Sequence, residues 1–460
     1  MNRRVSPVLN KMAEARIAKN VNLDQIGSIQ KDKGYSVFAD TPTTDAVLAL
    51  YPYYNIAATT TRYFLRDSGG IVYKWNGTTA WSALSGATGL STTVIPSWVT
   101  YKNLGMRFNA VDPPKKFDGT TFSNLGGTPP NGSIPAVFKD RVYVTGVDPN
   151  YSTVYYSSTG NPENWPVFNN FDVNNNDGDR NMALVPVFDS LMIFKEFSIW
   201  EFQVDSKNNP SVLRYVTLDV GTTSRRSIVN IGGIVYFFSR KGIYQLASRY
   251  PELISLKVQD FIDAVTDPYA VFAFKDGNKY CLWIGNVTVE GRTYTNCVLV
   301  YDTLQDTWKI RTLAHAITCA SDFIGTDKLQ NIYLGSSAGK TYTWARGYSY
   351  AGTPIEMEYE TGIIEFGDPI KEAEFQQAIL RMSNEPKSPP TVHYSIDGQG
   401  FKELGKAKRA ITQFTDRKLG RDVRFRFHEV SDKEMRTIQK LSFYVDPSKG
   451  GEHDKRTNGV

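Results

Sequence analysis

The chain has 460 residues, a formal net charge of +5, and 13% aromatic residues, including 26 Tyr and 25 Phe. At about one unit per hundred residues the charge is too mild for a protein that grips duplex nucleic acid, and no basic stripe concentrates it. Three cysteines without CxxC spacing (Cys281, Cys297, Cys319) exclude a disulfide framework, and four scattered histidines argue against a strong metal site.

The length allows a large core, and roughly 100 to 200 residues per domain predicts one large domain and one small one. The first twenty residues carry charges throughout and lack the apolar run of a signal peptide. No apolar window is long enough for a membrane span. The expectation is synthesis in the cytoplasm without a membrane anchor.

In chain order, residues 1–45 read as a polar N-terminal arm with a short helix over Val8 to Ala18 and an opening strand over Tyr35 to Phe38. Such an arm packs on a neighbour or closes a sheet. From residue 46 a repeat begins. Trp75 precedes Asn76-Gly77 and Phe117 precedes Asp118-Gly119, each followed by Thr-Thr and an aromatic residue. Asn-Gly and Asp-Gly suit type I′ hairpin turns, which require positive φ.

The aromatic mark recurs at Tyr156, Trp200, Tyr244, Tyr301 and Tyr342, at spacings of about 39, 44, 44, 57 and 41 residues. The long interval accommodates a helical segment over Lys257 to Val265. A period of about 40 to 45 residues with four strands per unit is that of a β-propeller blade. The sequence therefore predicts an all-β fold, a β-propeller of six or seven blades over residues 46–350, with a small C-terminal β-sandwich-like domain over 351–447. Glu372 to Arg381 is read as a strand despite its good helix formers, and residues 448–460 as a flexible charged tail.

The continuous apolar runs Arg141 to Val144 and Leu191 to Phe194 read as strands buried on both faces. Between them lies the most site-like stretch, Asp172 to Asp179. Its alternating oxygen ligands resemble a calcium loop. However, Gly178 stands at the seventh place instead of the sixth, and Ala183 replaces the bidentate Glu. A turn-rich connector is the better reading. Asp397-Gly398 resembles a sialidase Asp-box, but Gly400 is one place late and the motif occurs once, so a plain hairpin is expected.

His393 and His428 fall in strand patterns and read as structural; His315 and His453 stand singly. The basic pairs are Arg3-Arg4, Lys115-Lys116 and Arg225-Arg226. Lys418, Arg421, Arg424 and Arg426 are expected to share one strand face, either solvated or as a protein or DNA contact. No phosphate loop occurs, and the sequence assigns no catalytic, cofactor-binding or metal residue and no cofactor.

DRVYVTG (140–146), YYSSTGNPENWP (155–166), FDVNNNDGD (171–179), VFDSLMIFKEFSIWEF (187–202), GIVYFFSRKGIYQL (233–246) and LVYDTLQDTW (299–308) follow one another in this order. Together with NVNLDQIGSIQKDKGYSVF (20–38) and YSIDGQGF (394–401), they resemble the β-propeller tail proteins of short-tailed bacteriophages. That group comprises the packaged-DNA stabilisation (tail hub) proteins and the tail nozzle proteins. The resemblance spans about residues 15 to 450; one departure is Lys33-Gly34-Tyr35, where an Arg-Pro-Gly-like turn is common.

It implies a structural virion protein, not an enzyme, located in the phage tail. Such proteins form a homo-oligomeric ring, usually a hexamer, below the portal and its adaptor ring. The ring contacts other tail proteins or fibres, touches double-stranded DNA only in passing, and helps retain the packaged genome until ejection. No small-molecule substrate is implied. The alternative from the residues alone is a glycan-binding or glycan-hydrolysing propeller.

Overall fold

The computed structural model describes residues 15–25, 27–55, 61–75, 77–175, 177–248, 250–325, 329–367 and 371–447. Each aromatic mark of the repeat falls on the third strand of a four-stranded antiparallel unit. Trp75 ends Ile71–Trp75 and Phe117 ends Lys115–Phe117. Tyr156 lies in Thr153–Tyr156, Trp200 in Ile199–Val204 and Tyr244 in Gly242–Leu246. Tyr301 lies in Arg292–Asp302 and Tyr342 in Thr341–Trp344.

Five of these units are separate four-stranded sheets, and two more are four-strand runs within a 15-stranded sheet. They span residues 47–83, 97–124, 134–172, 181–217, 229–253 and 272–312, and the seventh spans 317–344 with Tyr35–Val37 as its outer strand. We number them blades 1 to 7. The chain is a seven-bladed β-propeller.

The apolar clusters show why the circle closes. Among the described residues, seven of the eight lie between consecutive blades, the last of them joining Phe323 and Tyr333 of blade 7 to Val47 and Phe64 of blade 1. The second strand of every blade except blade 2 feeds two of these cores at once. In Ser190–Lys195, Leu191 and Ile193 pack toward blade 3, whereas Met192 and Phe194 pack toward blade 5. Alternation places successive side chains on opposite faces, so a sheet covered on both faces needs an unbroken apolar run. Each fully buried Phe or Leu contributes about 1.5–3 kcal/mol.

The N-terminal segment closes a sheet of its own chain. Tyr35–Val37 pairs with Thr341–Trp344 in blade 7. Upstream, Ile17–Lys19 pairs in parallel with the outer strand of blade 6 and antiparallel with Thr353–Glu360. This corrects the expected helix, since Ile17 and Ala18 are extended and buried between two strands of one continuous sheet; residues 8–14 lie outside the described residues. Asp32 accepts from Lys309 at 2.8 Å, and Lys31 lies 3.0 Å from Glu429 with both side chains sealed from solvent. A Cβ at Gly34 would fall 1.8 Å from the Ser349 carbonyl oxygen, so the departure at Lys33-Gly34-Tyr35 keeps the one residue this crossing tolerates.

Beyond the propeller, Thr353–Glu360, Asp422–Ser431, Thr391–Ile396 and Lys402–Lys406 continue the large sheet. It faces a three-stranded sheet of Ile411–Gly420, Ala373–Met382 and Ile438–Asp446. Phe375, Leu380, Phe414, Phe425 and Phe427 fill the space between them, a β-sandwich. Residues 373–382 are a strand, with Phe375, Ala378, Leu380 and Met382 buried. The helical segment expected at 257–265 is present as Leu256–Val258 and Gln259–Asp263. The tail at 448–460 lies outside the described residues.

Two smaller expectations are corrected. Lys418 lies on the three-stranded sheet, whereas Arg424 and Arg426 lie on the other sheet and pair with the buried Glu360 at 3.0 and 2.9 Å, so the four basic residues share no face. At Asp118-Gly119 only the glycine has positive φ. The Asp118 carboxylate accepts the Thr120 and Thr121 amides at 2.8 and 2.7 Å, which fixes a longer turn in place of a type I′ turn. Asn76 lies outside the described residues. Asp397-Gly398 has positive φ at both positions and forms the plain hairpin expected.

Candidate functional site

The Asn- and Asp-rich loop connects blade 3 to blade 4, and a lysine occupies its centre. Lys195, at the end of the second strand of blade 4, is fully buried. Its ammonium donates to Asp177 Oδ1 and Oδ2 at 2.9 and 2.8 Å and to the carbonyls of Val173 and Asn174 at 2.9 and 3.3 Å. The oxygen set that resembles a calcium loop is thus directed at a protein cation. Burial alone would raise Asp177, but the hydrogen bond and charge of Lys195 hold it below the usual carboxylate range. Asp179 accepts the Glu196 and Phe197 amides and the Ser198 hydroxyl, pinning the next turn. Asn176 lies outside the described residues.

The histidines are tied to strands. His315 Nδ1 lies 2.8 Å from the Tyr35 hydroxyl, and His428 Nε2 lies 3.1 Å from Glu356 Oε1. His393 sits between Arg426 and Glu403 in strand register. Burial lowers His393, and His453 lies outside the described residues.

Two features that sequence reasoning did not assign sit at opposite ends of the propeller. In an antiparallel four-stranded blade, the first-to-second and third-to-fourth connections leave at the same end. Val167 and Phe168 lie in the third-to-fourth connection of blade 3, and Phe188 in the first-to-second turn of blade 4. They are 83%, 92% and 84% exposed. Lys139 and Asp189 bridge the two blades at this end at 2.7 Å. Phe188 has φ +51°, a left-handed conformation that a bulky residue adopts rarely and at a cost. The signal was an apolar residue in a turn position, Val187-Phe188-Asp189, which alternation alone absorbs into the strand.

At the other end, Arg225 and Arg226 stand in a short turn before the inner strand of blade 5. Arg225 Nε donates to Ser97 Oγ at 2.8 Å and Nη2 to the Ile95 carbonyl at 3.0 Å, both at the start of blade 2. Arg226 donates to the Thr318 carbonyl of blade 7 and stacks over Phe272 of blade 6, 4.9 Å from the ring centroid. The pair therefore spans the mouth of the central tunnel and satisfies carbonyls there. Below it a cavity of about 330 Å³ is lined by Val229, Asn230, Lys275, Ser321 and Asp322.

No protein-family model matches the chain, and no curated protein matches it. Among solved structures, the extracellular domain of a hybrid two component system from B. thetaiotaomicron is similar over 84% of this chain, at 10% identity and TM-score 0.46. The chain spans about half of that protein, 47%. YCF48 from Cyanidioschyzon merolae is similar over 67% of this chain and 98% of its own, at 12% identity and TM-score 0.41. An exo-beta-1,3-galactanase from Phanerochaete chrysosporium is similar over 90% of this chain and 100% of its own, at 9% identity and TM-score 0.31. Likeness this distant carries no functional argument, and the fold rests on the strand order.

Proposed function

We propose that this chain is a structural protein of a short-tailed bacteriophage tail, one subunit of a closed ring below the portal and adaptor that extends the DNA channel and helps retain packaged DNA. The reading rests on the order of sequence blocks from residue 20 to 401. The structural observation that favours an assembly role is a set of exposed apolar residues, Val167 and Phe168 of blade 3 and Phe188 of blade 4, at the same end of the propeller. Exposed apolar side chains grouped in this way mark protein contact surfaces, and here one of them is held in a strained turn.

A ring needs two different surfaces on each subunit, because a head-to-tail contact repeats around the axis. The sandwich, joined to the rim of blade 6 by a continuous sheet through Ile17–Lys19, supplies a projecting body with a fixed direction. Blade 4 supplies a long outer strand, Pro210–Thr217, with Tyr215 60% exposed. Double-stranded DNA passes along the ring axis and not through the propeller, whose tunnel mouth Arg225 and Arg226 span.

The second reading, a glycan-binding or glycan-hydrolysing propeller, is favoured by the polar cavity of about 330 Å³ in the tunnel, with Asp322 and Asn230 in its wall. Native mass measurement with negative-stain imaging separates the two. A ring, expected as a hexamer, supports the tail protein. A monomer that binds or cleaves glycans overturns it.

A further inference from the structure

Two adjacent arginines facing one tunnel mouth pose a charge problem. Arginine stays protonated in proteins, and a desolvated cation needs a counter-charge or becomes costly. Among the described residues, most other deeply placed cations have theirs; the exceptions, Arg66 with two hydroxyls and Arg141 with the Ser157 carbonyl, stand singly and not as an adjacent pair. Arg107 lies 2.6 Å from Asp67, Lys309 lies 2.8 Å from Asp32, and Arg424 lies 3.0 Å from Glu360. Arg225 and Arg226 have only a hydroxyl and backbone carbonyls, with no carboxylate at ion-pair distance among those residues. Asp322 lies four residues beyond Thr318 on the same strand, about 13 Å along it.

Burial, and then the neighbouring Arg226, push Arg225 down to about 10, and burial lowers Arg226 as well. No guanidinium nitrogen of either residue is both sealed from solvent and without a partner, so the donors left over open outward. Their backbone bonds hold the two side chains in place beforehand. Arg225 is tied to blade 2 and Arg226 to blades 6 and 7, and Phe272 lies beneath the second guanidinium. Planar guanidinium donors match the paired oxygens of phosphate and carboxylate groups, and pre-positioned donors bind with less entropy lost.

We propose that Arg225 and Arg226 form a binding site for a small oxyanion, a phosphate or carboxylate group, at this mouth of the propeller tunnel. The site is independent of the tail reading, since it needs only the closed propeller. The bound oxyanion supplies the missing counter-charge and locks four blades together, so binding stabilises the fold by linkage.

The test is thermal unfolding of the full chain in inorganic phosphate, acetate or chloride at equal ionic strength, with affinity measured by calorimetry. The expected result is a saturable rise in Tm with phosphate or acetate and none with chloride. The arm that responds identifies the group. Arg226→Lys keeps the charge but loses the fork, and should weaken binding by about tenfold, as expected for a charge-assisted hydrogen bond lost. Arg225→Gln with Arg226→Gln should abolish the rise. If that double variant does not fold, Arg226→Lys alone still decides. A Tm rise equal in chloride, a rise unchanged in Arg226→Lys, or no response to either oxyanion would overturn the proposal and leave the pair as a purely internal tie.

Discussion

Lys195 Nζ lies 2.8 Å from Asp177 Oδ2, at the centre of a loop whose oxygens resemble a calcium site, and the lysine is sealed from solvent. The ammonium takes two carboxylate oxygens and two carbonyls, so it satisfies the acceptors that a cation would otherwise need to hold. The loop is a cross-blade fastener, and its acidic residues are structural.

Replacing Lys195 by Met leaves Asp177 and two carbonyls without their donor. The expected loss is about 2–3 kcal/mol, below the ~3–5 kcal/mol of a fully sealed pair because Asp177 is partly exposed. Urea unfolding measures it, and millimolar calcium should not restore the wild-type midpoint. Because the folded carboxylate of Asp177 lies below its unfolded value, this contribution is present above about pH 4 and is lost as pH falls through the folded pKa.

Asp32 holds two cations from blade 6, Lys309 at 2.8 Å and Arg311 at 3.6 Å, with all three side chains nearly enclosed. Asp32→Ala should destabilise the chain by about 3–5 kcal/mol, because both cations remain where they are. Limited proteolysis should then cut within residues 20–34, where the wild type is protected. Equal protection in the variant would show that the pairing of Tyr35–Val37 alone holds the segment.

Lys19, Glu356 and His428 join the N-terminal strand to the sandwich sheet. The His428 hydrogen bond, against burial, and the Lys19 contact take Glu356 down to about 2, and Glu356 raises His428. The histidine contribution is complete below about pH 6.5 and fades as pH rises through its folded value. The glutamate contribution is complete above about pH 4.5 and fades only toward pH 2. The stability of this junction should therefore peak between about pH 4.5 and 6.5, and His428→Gln should flatten the alkaline side of the profile, read from urea midpoints across pH.

Phe188 is 84% exposed at φ +51°, so the fold alone gives no reason for its side chain. Phe188→Asn should leave stability unchanged or raise it by about 0.5–1 kcal/mol, because Asn tolerates left-handed backbone. If the apolar tips are assembly contacts, Phe188→Asn combined with Phe168→Asp should yield a folded chain that forms no higher assembly in native mass measurement. Intact assembly would place the contacts elsewhere.

The sequence by itself determined the propeller, because its aromatic marks obey the blade period and the second strands of blades 3 and 4 carry the unbroken apolar runs of sheets covered on both faces. Those signals are local, set by the two-residue alternation of strands and by turn chemistry. The seventh blade was decided only by tertiary structure, because its outer strand, Tyr35–Val37, comes from more than 300 residues upstream of its partner, Thr341–Trp344. The same holds for Ile17–Lys19, whose short polar surroundings read as helix until a strand from blade 6 and one from the sandwich pair with it on either side.

Charge followed the same division. Asp177 and Lys195, Arg424 and Glu360, and Arg225 and Ile95 are distant in sequence, and no spacing rule links them. Composition counted the charged residues correctly. Only the closed ring of blades decided which cations meet a carboxylate and which, the pair at the tunnel mouth among them, do not.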